Sequence, residues 1–114
     1  MKILIVEDQA MIAFLLEDVV LGMGHEVIGP ATSGRQALAL AQQGGFDGAL
    51  VDYNLEAGST SYEAAVVLIE AGIPFVFLSG CGETNDCPEL QNVPLITKPF
   101  VLSDIEAVIE GFQS

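Results

Sequence analysis

Short aliphatic runs alternate along the chain with longer stretches that have helical spacing. The run Lys2–Val6 is aliphatic throughout after its first residue, which is typical of a parallel strand buried on both faces. From about Gln9 to Leu21 the apolar residues recur at helical spacing, and Gly22 closes the pattern. The buried face of this helix is predicted to consist of Ile12, Leu15, Leu16 and Val19.

The same order of strand and helix continues to the end of the chain. Further strands are predicted at about His25–Gly29, Gly48–Tyr53, Phe75–Ser79 and Pro94–Thr97. Further helices are predicted from Ser33 to Gly44-Gly45, from Thr60 to about Ala71, and over about Leu102–Phe112. Each of these helices has a capping-box pair at its start: Ser33 with Gln36, Thr60 with Glu63, and Ser103 with Glu106.

One interval departs from this alternation. Residues Gly80–Val93 stand where another helix is expected, yet they contain two Gly, a Pro and several turn-forming residues, with no apolar stripe. We therefore expect a mobile loop, or a single short helical turn, between the fourth and fifth strands.

The alternation predicts an α/β fold with a doubly wound, five-stranded parallel sheet, right-handed crossovers and helices on both faces. With 114 residues, the chain is predicted to be a single domain spanning residues 1–114. Sheets of this kind bind ligands beyond the carboxyl ends of their strands. The residues at those ends are therefore the candidates for function.

Charge excludes one class of partner. The net charge is −13, and the basic side chains are Lys2, Arg35 and Lys98 alone. Because binding to a phosphate backbone needs a cluster of Lys and Arg, we expect no nucleic-acid partner. Acidity of this kind suits cations and basic surfaces of partner proteins.

The sequence also indicates a location. Its apolar runs are too short for the roughly 20 residues of a membrane span, and Glu7 and Asp8 come too early for a signal-peptide core. We therefore expect a cytoplasmic protein that does not contact a membrane. Cys81 and Cys87, with His25 as the one histidine, are too few for a structural zinc site, so free thiols are expected.

Three carboxylates stand at the predicted strand ends. Glu7 and Asp8 follow the first strand, and Asp52 lies at the end of the third. If these strands are neighbours, the three carboxylates meet in one crevice and repel one another. A hard cation removes that cost, and Mg²⁺ suits a site built from one or two carboxylates, water and a phosphate oxygen.

The ends of the fourth and fifth strands carry two more polar groups. Ser79 offers a hydroxyl able to hydrogen-bond a phosphate oxygen, and Lys98 offers a cation that could pair with a carboxylate or a phosphate. Phosphoryl transfer needs mainly positioning and charge neutralisation, and a carboxylate can serve as its nucleophile. The set as a whole is consistent with that chemistry.

In this order and spacing, the five residues resemble those of a response-regulator receiver domain, the phospho-accepting part of two-component signalling. The resemblance covers the chain from Ile3 to the final helix and implies the flavodoxin-like strand order 2-1-3-4-5. It implies that Asp52 accepts a phosphoryl group from a phosphohistidine on a sensor histidine kinase or a histidine phosphotransfer protein. Ser79 and Lys98 would then bind the phosphoryl oxygens.

The same resemblance implies a metal site. Asp8, Asp52 and the backbone carbonyl of Asn54 would ligate Mg²⁺, and Glu7 would hold it through water. Mn²⁺ or Ca²⁺ could substitute for Mg²⁺.

The chain departs from the usual receiver pattern in places. The acidic pair is Glu-Asp instead of Asp-Asp, and Leu95 stands where most receivers carry the aromatic residue that swings inward on phosphorylation. The stretch Pro74–Gly80 resembles a receiver subgroup with the motif Pro-Phe-x-Phe-Ala-Thr-Gly, which also lacks that aromatic residue and often has a poorly formed fourth helix. We therefore expect phosphorylation to order or shift residues 80–93, through Ser79.

The expected role is a signalling domain, not an enzyme, that promotes only its own phosphorylation and dephosphorylation and changes the surface it presents to partner proteins. The alternative is a degenerate receiver that binds partners without phosphorylation. A flavin or nucleotide module is disfavoured, because Glu7 and Asp8 would repel phosphate. A phosphohydrolase would need an acid two residues beyond Asp52, where this chain has Asn54.

Overall fold

The computed structural model describes residues 1–53, 55, 60–79, 95–97 and 101–112. In chain order its elements are β1 (Lys2–Val6), α1 (Ala10–Gly22), β2 (Glu26–Ala31), α2 (Gly34–Gln43), β3 (Gly48–Asp52), α3 (Tyr62–Ala71), β4 (Phe75–Ser79), β5 (Leu95–Thr97) and α4 (Leu102–Phe112). Within these residues five strands form one sheet in the order β2-β1-β3-β4-β5, and every neighbouring pair is parallel. The predicted fold class and strand order are confirmed.

The sheet is buried on both faces, as its aliphatic strands predict. On one face Leu4, Val6, Ala49 and Val51 pack with the buried residues of α2 and α3. On the other, Ile3, Ile5 and Leu50 pack with those of α1 and α4. Because the helices cover both faces, the crevice at the carboxyl ends of the strands remains as a place for ligands.

The end of β2 departs from its prediction for a physical reason. The predicted β2 stops before Pro30, but the strand runs on to Ala31, because β2 is an edge strand and its outer side needs no amide hydrogen from proline. Within it Gly29 has a φ of +98°, and a Cβ at this position would lie 2.8 Å from the carbonyl oxygen of Ile5. The bounds of β1, β4 and α4 match the predictions.

The capping predictions are only partly correct. Ser33 Oγ accepts a hydrogen bond from the amide of Gln36 at 3.2 Å, as predicted for the start of α2. The Gln36 side chain, however, accepts from the amide of Thr32 at 2.8 Å, one residue before the position that a capping box requires. The pair at Ser103 was wrong, because α4 begins at Leu102 and Ser103 lies inside its first turn.

The start of α3 also differs from its prediction. The helix begins at Tyr62, so Thr60 lies two residues before it and its hydroxyl accepts from the Tyr62 amide at 3.4 Å. Ser61 takes the N-cap position in its place. The predicted pairing of Thr60 with Glu63 as a capping box was therefore wrong.

The predicted loop at Gly80–Val93 and its expected response to phosphorylation fall outside the described residues, as does the side chain of Leu95. Across the described helices, none has the combination of length and apolar character that a bilayer crossing requires.

Candidate functional site

Three carboxylates meet at the carboxyl edge of the sheet. Strands β1 and β3 are neighbours, with Val6 paired to Val51, so the residues that follow this pair, Glu7 and Asp52, stand at the same level. One carboxylate oxygen from each of Glu7, Asp8 and Asp52 lies within 4.8 Å of the other two. The structure therefore brings together the three acids that the strand ends indicated.

Burial raises the electrostatic cost of placing these carboxylates close together. Glu7 is fully buried, Asp52 is 5% exposed, and Asp8 is partly exposed. Carboxylates removed from water need hydrogen bonds or a countercharge. Glu7 Oε2 accepts a hydrogen bond from the amide of Gln9 at 3.1 Å, and the Glu7 amide donates to the carbonyl of Ala31 at 2.9 Å. Glu7 is thus held in place on both its side chain and its backbone.

The last residue before α3, Ser61, is hydrogen-bonded to the backbone of Asp52 and Tyr53. Ser61 is fully buried, and its hydroxyl donates to the backbone carbonyl of Asp52 at 2.9 Å. Its amide donates to the carbonyl of Tyr53 at 3.0 Å. Sequence reasoning missed Ser61, because three hydroxyl residues in a row, Ser59 to Ser61, compete for the start of the helix. Its position directly before the apolar-periodic residues was the available signal.

An aromatic cluster lies beside the end of β3. Tyr53, next to Asp52, meets Phe77 edge to face with ring centroids 5.6 Å apart, and Phe75 meets Phe77 in the same way at 5.4 Å. Phe75 and Phe77 are buried in the core, so they are packing residues and do not form an exposed binding stripe. The cluster gives the end of β3 a rigid support.

The other predicted site residues are described only by their place in the chain. Asp52 pairs with Leu78, so Ser79 follows at the same edge of the sheet, and Thr97 of β5 pairs with Ser79. Lys98 follows Thr97. The side chain of Ser79, together with Lys98 and Asn54, falls outside the described residues.

Exposed apolar side chains lie on α1, the helix that follows Glu7 and Asp8 in the chain. Met11, Phe14 and Leu15 of α1 are 82%, 71% and 47% exposed, and their spacing places them on one face of the helix. We call these three residues the α1 surface. Leu15 was predicted to lie on the buried stripe and does not; α1 buries Ala13, Leu16, Val19 and Val20. Contiguous exposed apolar side chains of this kind mark interaction sites.

The chain is similar to a curated bacterial regulator. No family model matches it. The phyllosphere-induced regulator PhyR of Methylorubrum extorquens is 36% identical over 113 residues, which are 95% of this chain and 42% of PhyR. The chain thus spans less than half the length of that relative.

Solved structures show the same similarity over whole domains. SdrG from Sphingomonas melonis Fr1 is 32% identical with a TM-score of 0.82, covering 99% of this chain and 96% of SdrG. The REC domain of the response regulator PhyR from Erythrobacter litoralis is 29% identical with a TM-score of 0.82, covering 98% of this chain and 88% of that domain.

A more distant structure shares the fold. The receiver domain of the sensor histidine kinase PA1611 from Pseudomonas aeruginosa is 21% identical with a TM-score of 0.82, covering 99% of this chain and 98% of that domain. That receiver has a magnesium ion coordinated in its active-site cleft.

Proposed function

The chain belongs to the response-regulator receiver domains, and from this we propose that Asp52 accepts a phosphoryl group from the phosphohistidine of a sensor histidine kinase or a histidine phosphotransfer protein. The observation that supports this most strongly is the position of Asp52. It ends β3 with its carboxylate within 4.8 Å of those of Glu7 and Asp8, at the edge of the sheet where ligands bind.

The donor set fits a hard divalent cation. Three carboxylates at this separation repel one another, and oxygen ligands of this kind suit Mg²⁺. Asp8, Asp52 and the carbonyl of Asn54 would hold it directly. Glu7 would act through water, which suits a carboxylate whose Oε2 already accepts from the Gln9 amide. When bound, the cation neutralises the charge that collects on the transferring phosphoryl oxygens.

The transfer is an in-line displacement at phosphorus. A carboxylate oxygen of Asp52 attacks the phosphorus atom as the phosphorus–nitrogen bond of the phosphohistidine breaks. The electron pair of that bond stays on the imidazole nitrogen, which takes up a proton, and the new phosphorus–oxygen bond makes Asp52 an acyl phosphate. Ser79 and Lys98 bind the phosphoryl oxygens.

Return to the resting state uses water. A water oxygen attacks phosphorus, the bond to the Asp52 oxygen breaks, and inorganic phosphate leaves while the carboxylate is regenerated. The domain thus acts on its own phosphoryl group alone and is not an enzyme toward other substrates.

We propose that the phosphodonor protein docks on the α1 surface. Its first residue, Met11, is exposed and comes three residues after Asp8 in the sequence. Burial of exposed apolar side chains provides affinity without the basic clusters that this chain lacks. Phosphorylation then changes the surface that the domain presents to a downstream protein.

Intact-mass measurement after incubation with acetyl phosphate and Mg²⁺ tests the proposed function. The wild-type chain should gain one phosphoryl group, and Asp52→Asn should gain none. No gain by the wild type would favour the alternative, an interaction module that works without phosphorylation. Equal gain by Asp52→Asn would place the acceptor on another residue.

A further inference from the structure

Ser61 makes two hydrogen bonds to consecutive backbone carbonyls. Its hydroxyl donates to the carbonyl oxygen of Asp52 at 2.9 Å, and its amide donates to that of Tyr53 at 3.0 Å. These carbonyls belong to the peptide units on either side of the Tyr53 Cα. Holding both units restricts the backbone dihedral angles of Tyr53 and the rotation of the peptide that leaves Asp52.

The hydroxyl of Ser61 does not form the hydrogen bond that is usual for a serine at its position. A serine at the N-cap of a helix ordinarily accepts a hydrogen bond from an amide of the first turn. Ser33 does this for α2, where it accepts from the Gln36 amide at 3.2 Å. Ser61 is the N-cap residue of α3 and makes no such bond. It donates to Asp52 instead.

The burial of Ser61 makes its hydrogen bond to the Asp52 carbonyl hard to replace. The residue is fully buried, so water cannot replace a lost partner at the Asp52 carbonyl. The carboxylate of Asp52 is attached through the same Cα as that carbonyl. A shift of this peptide that carries the Asp52 Cα with it therefore moves the carboxylate relative to Glu7 and Asp8, which lie within 4.8 Å of it.

We infer that Ser61 is a positioning residue that holds the Asp52 carboxylate in the geometry needed for phosphoryl transfer, an inference that rests on the proposed function of Asp52. It acts through the backbone of Asp52 and does not touch the phosphoryl group. Displacements of the order of 1 Å at a reacting atom can lower rates by about a hundredfold, so even a partial loss of position is measurable.

The test compares serine substitutions at two N-cap positions. The rate of labelling by acetyl phosphate is measured at saturating Mg²⁺ over a range of donor concentrations, under conditions where circular dichroism shows each variant to be folded. Ser61→Ala should lower the maximal rate about tenfold and leave the half-saturating acetyl phosphate concentration unchanged. Ser33→Ala, the same change at the start of α2, should stay within about twofold of the wild type.

Two further variants separate the hydroxyl from the space it fills. Ser61→Thr keeps the donor and should restore most of the rate. Ser61→Cys has nearly the shape of serine but only a weak donor, so its rate should lie near that of Ser61→Ala. If Ser61→Ala does not fold, the Cys and Thr variants make the same comparison. Equal rates for the wild type, Ser61→Ala and Ser61→Cys would overturn the inference while the proposed function stands.

Binding of Mg²⁺ can be measured without phosphorylation, so it tests the role of Ser61 separately from the proposed function of Asp52. Titration of the wild type and Ser61→Ala with Mg²⁺ alone, followed by the backbone amide resonances of Asp52 and Tyr53, should show at least about threefold weaker binding by the variant. If the wild type is not labelled by acetyl phosphate, the proposed function fails and this titration decides the role of Ser61. Equal affinities, or no binding by either protein, would overturn that role.

Discussion

Glu7 and Asp52 lie side by side at the carboxyl edge of the sheet, because the register of β1 and β3 pairs the residues that precede them, Val6 and Val51. Both side chains are almost completely buried, and with Asp8 their carboxylates form a cluster within 4.8 Å. A buried pair of like charges is costly in the absence of a cation. The stability of the domain should therefore depend on the occupancy of this site.

Mg²⁺ should stabilise the fold. At about a hundred times its dissociation constant, a ligand that binds only the folded state adds about 2.7 kcal/mol to the free energy of unfolding. Thermal denaturation with Mg²⁺ or with EDTA measures the effect as a shift in Tm. An unchanged Tm in millimolar Mg²⁺ would contradict the cation site.

Asp8→Asn should remove most of this dependence on Mg²⁺. In EDTA the variant should be more stable than the wild type by about 1 kcal/mol, because one charge of the repelling cluster is gone. In Mg²⁺ it should gain little further stability, because one of the direct ligands is lost. A variant that is less stable than the wild type in EDTA would show that the acids do not repel one another.

Two neutral substitutions at Glu7 measure the contribution of its hydrogen bond to Gln9 without a difference in charge. Glu7→Gln keeps an oxygen that can accept from the Gln9 amide, whereas Glu7→Ala removes this acceptor and leaves a cavity. We expect the free energy of unfolding of Glu7→Ala to be about 2 to 3 kcal/mol lower than that of Glu7→Gln. Urea titrations in EDTA measure the difference. Two variants of equal stability would show that the bond to Gln9 contributes nothing.

The α1 surface should matter only for a protein phosphodonor. The donor in this test is a phosphorylated histidine phosphotransfer protein that labels the wild type. Phe14→Ala should slow phosphoryl transfer from this donor about tenfold, the loss expected for a central apolar contact. Labelling by acetyl phosphate should be unaffected, because Phe14 lies outside the acidic cluster. Ile69→Ala, which removes an exposed apolar side chain from α3, is the matched control and should leave both rates unchanged. Equal transfer rates for both variants would exclude docking at α1.

The aromatic cluster at the end of β3 should be a major contributor to stability. Phe77→Leu loses edge-to-face contacts with both Tyr53 and Phe75 and should lower the free energy of unfolding by about 1 to 2 kcal/mol. The same substitution at exposed Phe14 should change it by no more than about 0.5 kcal/mol. Urea unfolding of both variants checks this prediction. A smaller effect at Phe77 than at Phe14 would show that the ring contacts are not stabilising.

Much of the architecture follows from the sequence pattern. The unbroken aliphatic run of β1 predicts a strand buried on both faces, and the alternation with helices predicts a parallel sheet with its functional edge at Glu7, Asp8 and Asp52. These predictions hold because hydrophobic periodicity and the chirality of crossovers together allow few arrangements.

The errors come from positions where tertiary contacts decide between local alternatives. Leu15 and Leu16 are equally apolar, and only the packing of α1 on the sheet determines that Leu16 is buried and Leu15 exposed. The three hydroxyl residues before α3, Ser59 to Ser61, are all of types that cap helices. It is Ser61 whose hydroxyl donates to the Asp52 carbonyl, a contact between residues nine positions apart that no local rule anticipates.

The most direct test of the account is to trap the phosphoryl group on its acceptor. The chain is labelled with acetyl phosphate and Mg²⁺, treated with borohydride, which reduces an acyl phosphate of aspartate to homoserine, and digested for peptide mass mapping. The account predicts homoserine at position 52 and at no other aspartate, with none formed when EDTA replaces Mg²⁺. Reduction at another acidic residue, or none at all in a chain that has folded and bound Mg²⁺, would contradict it.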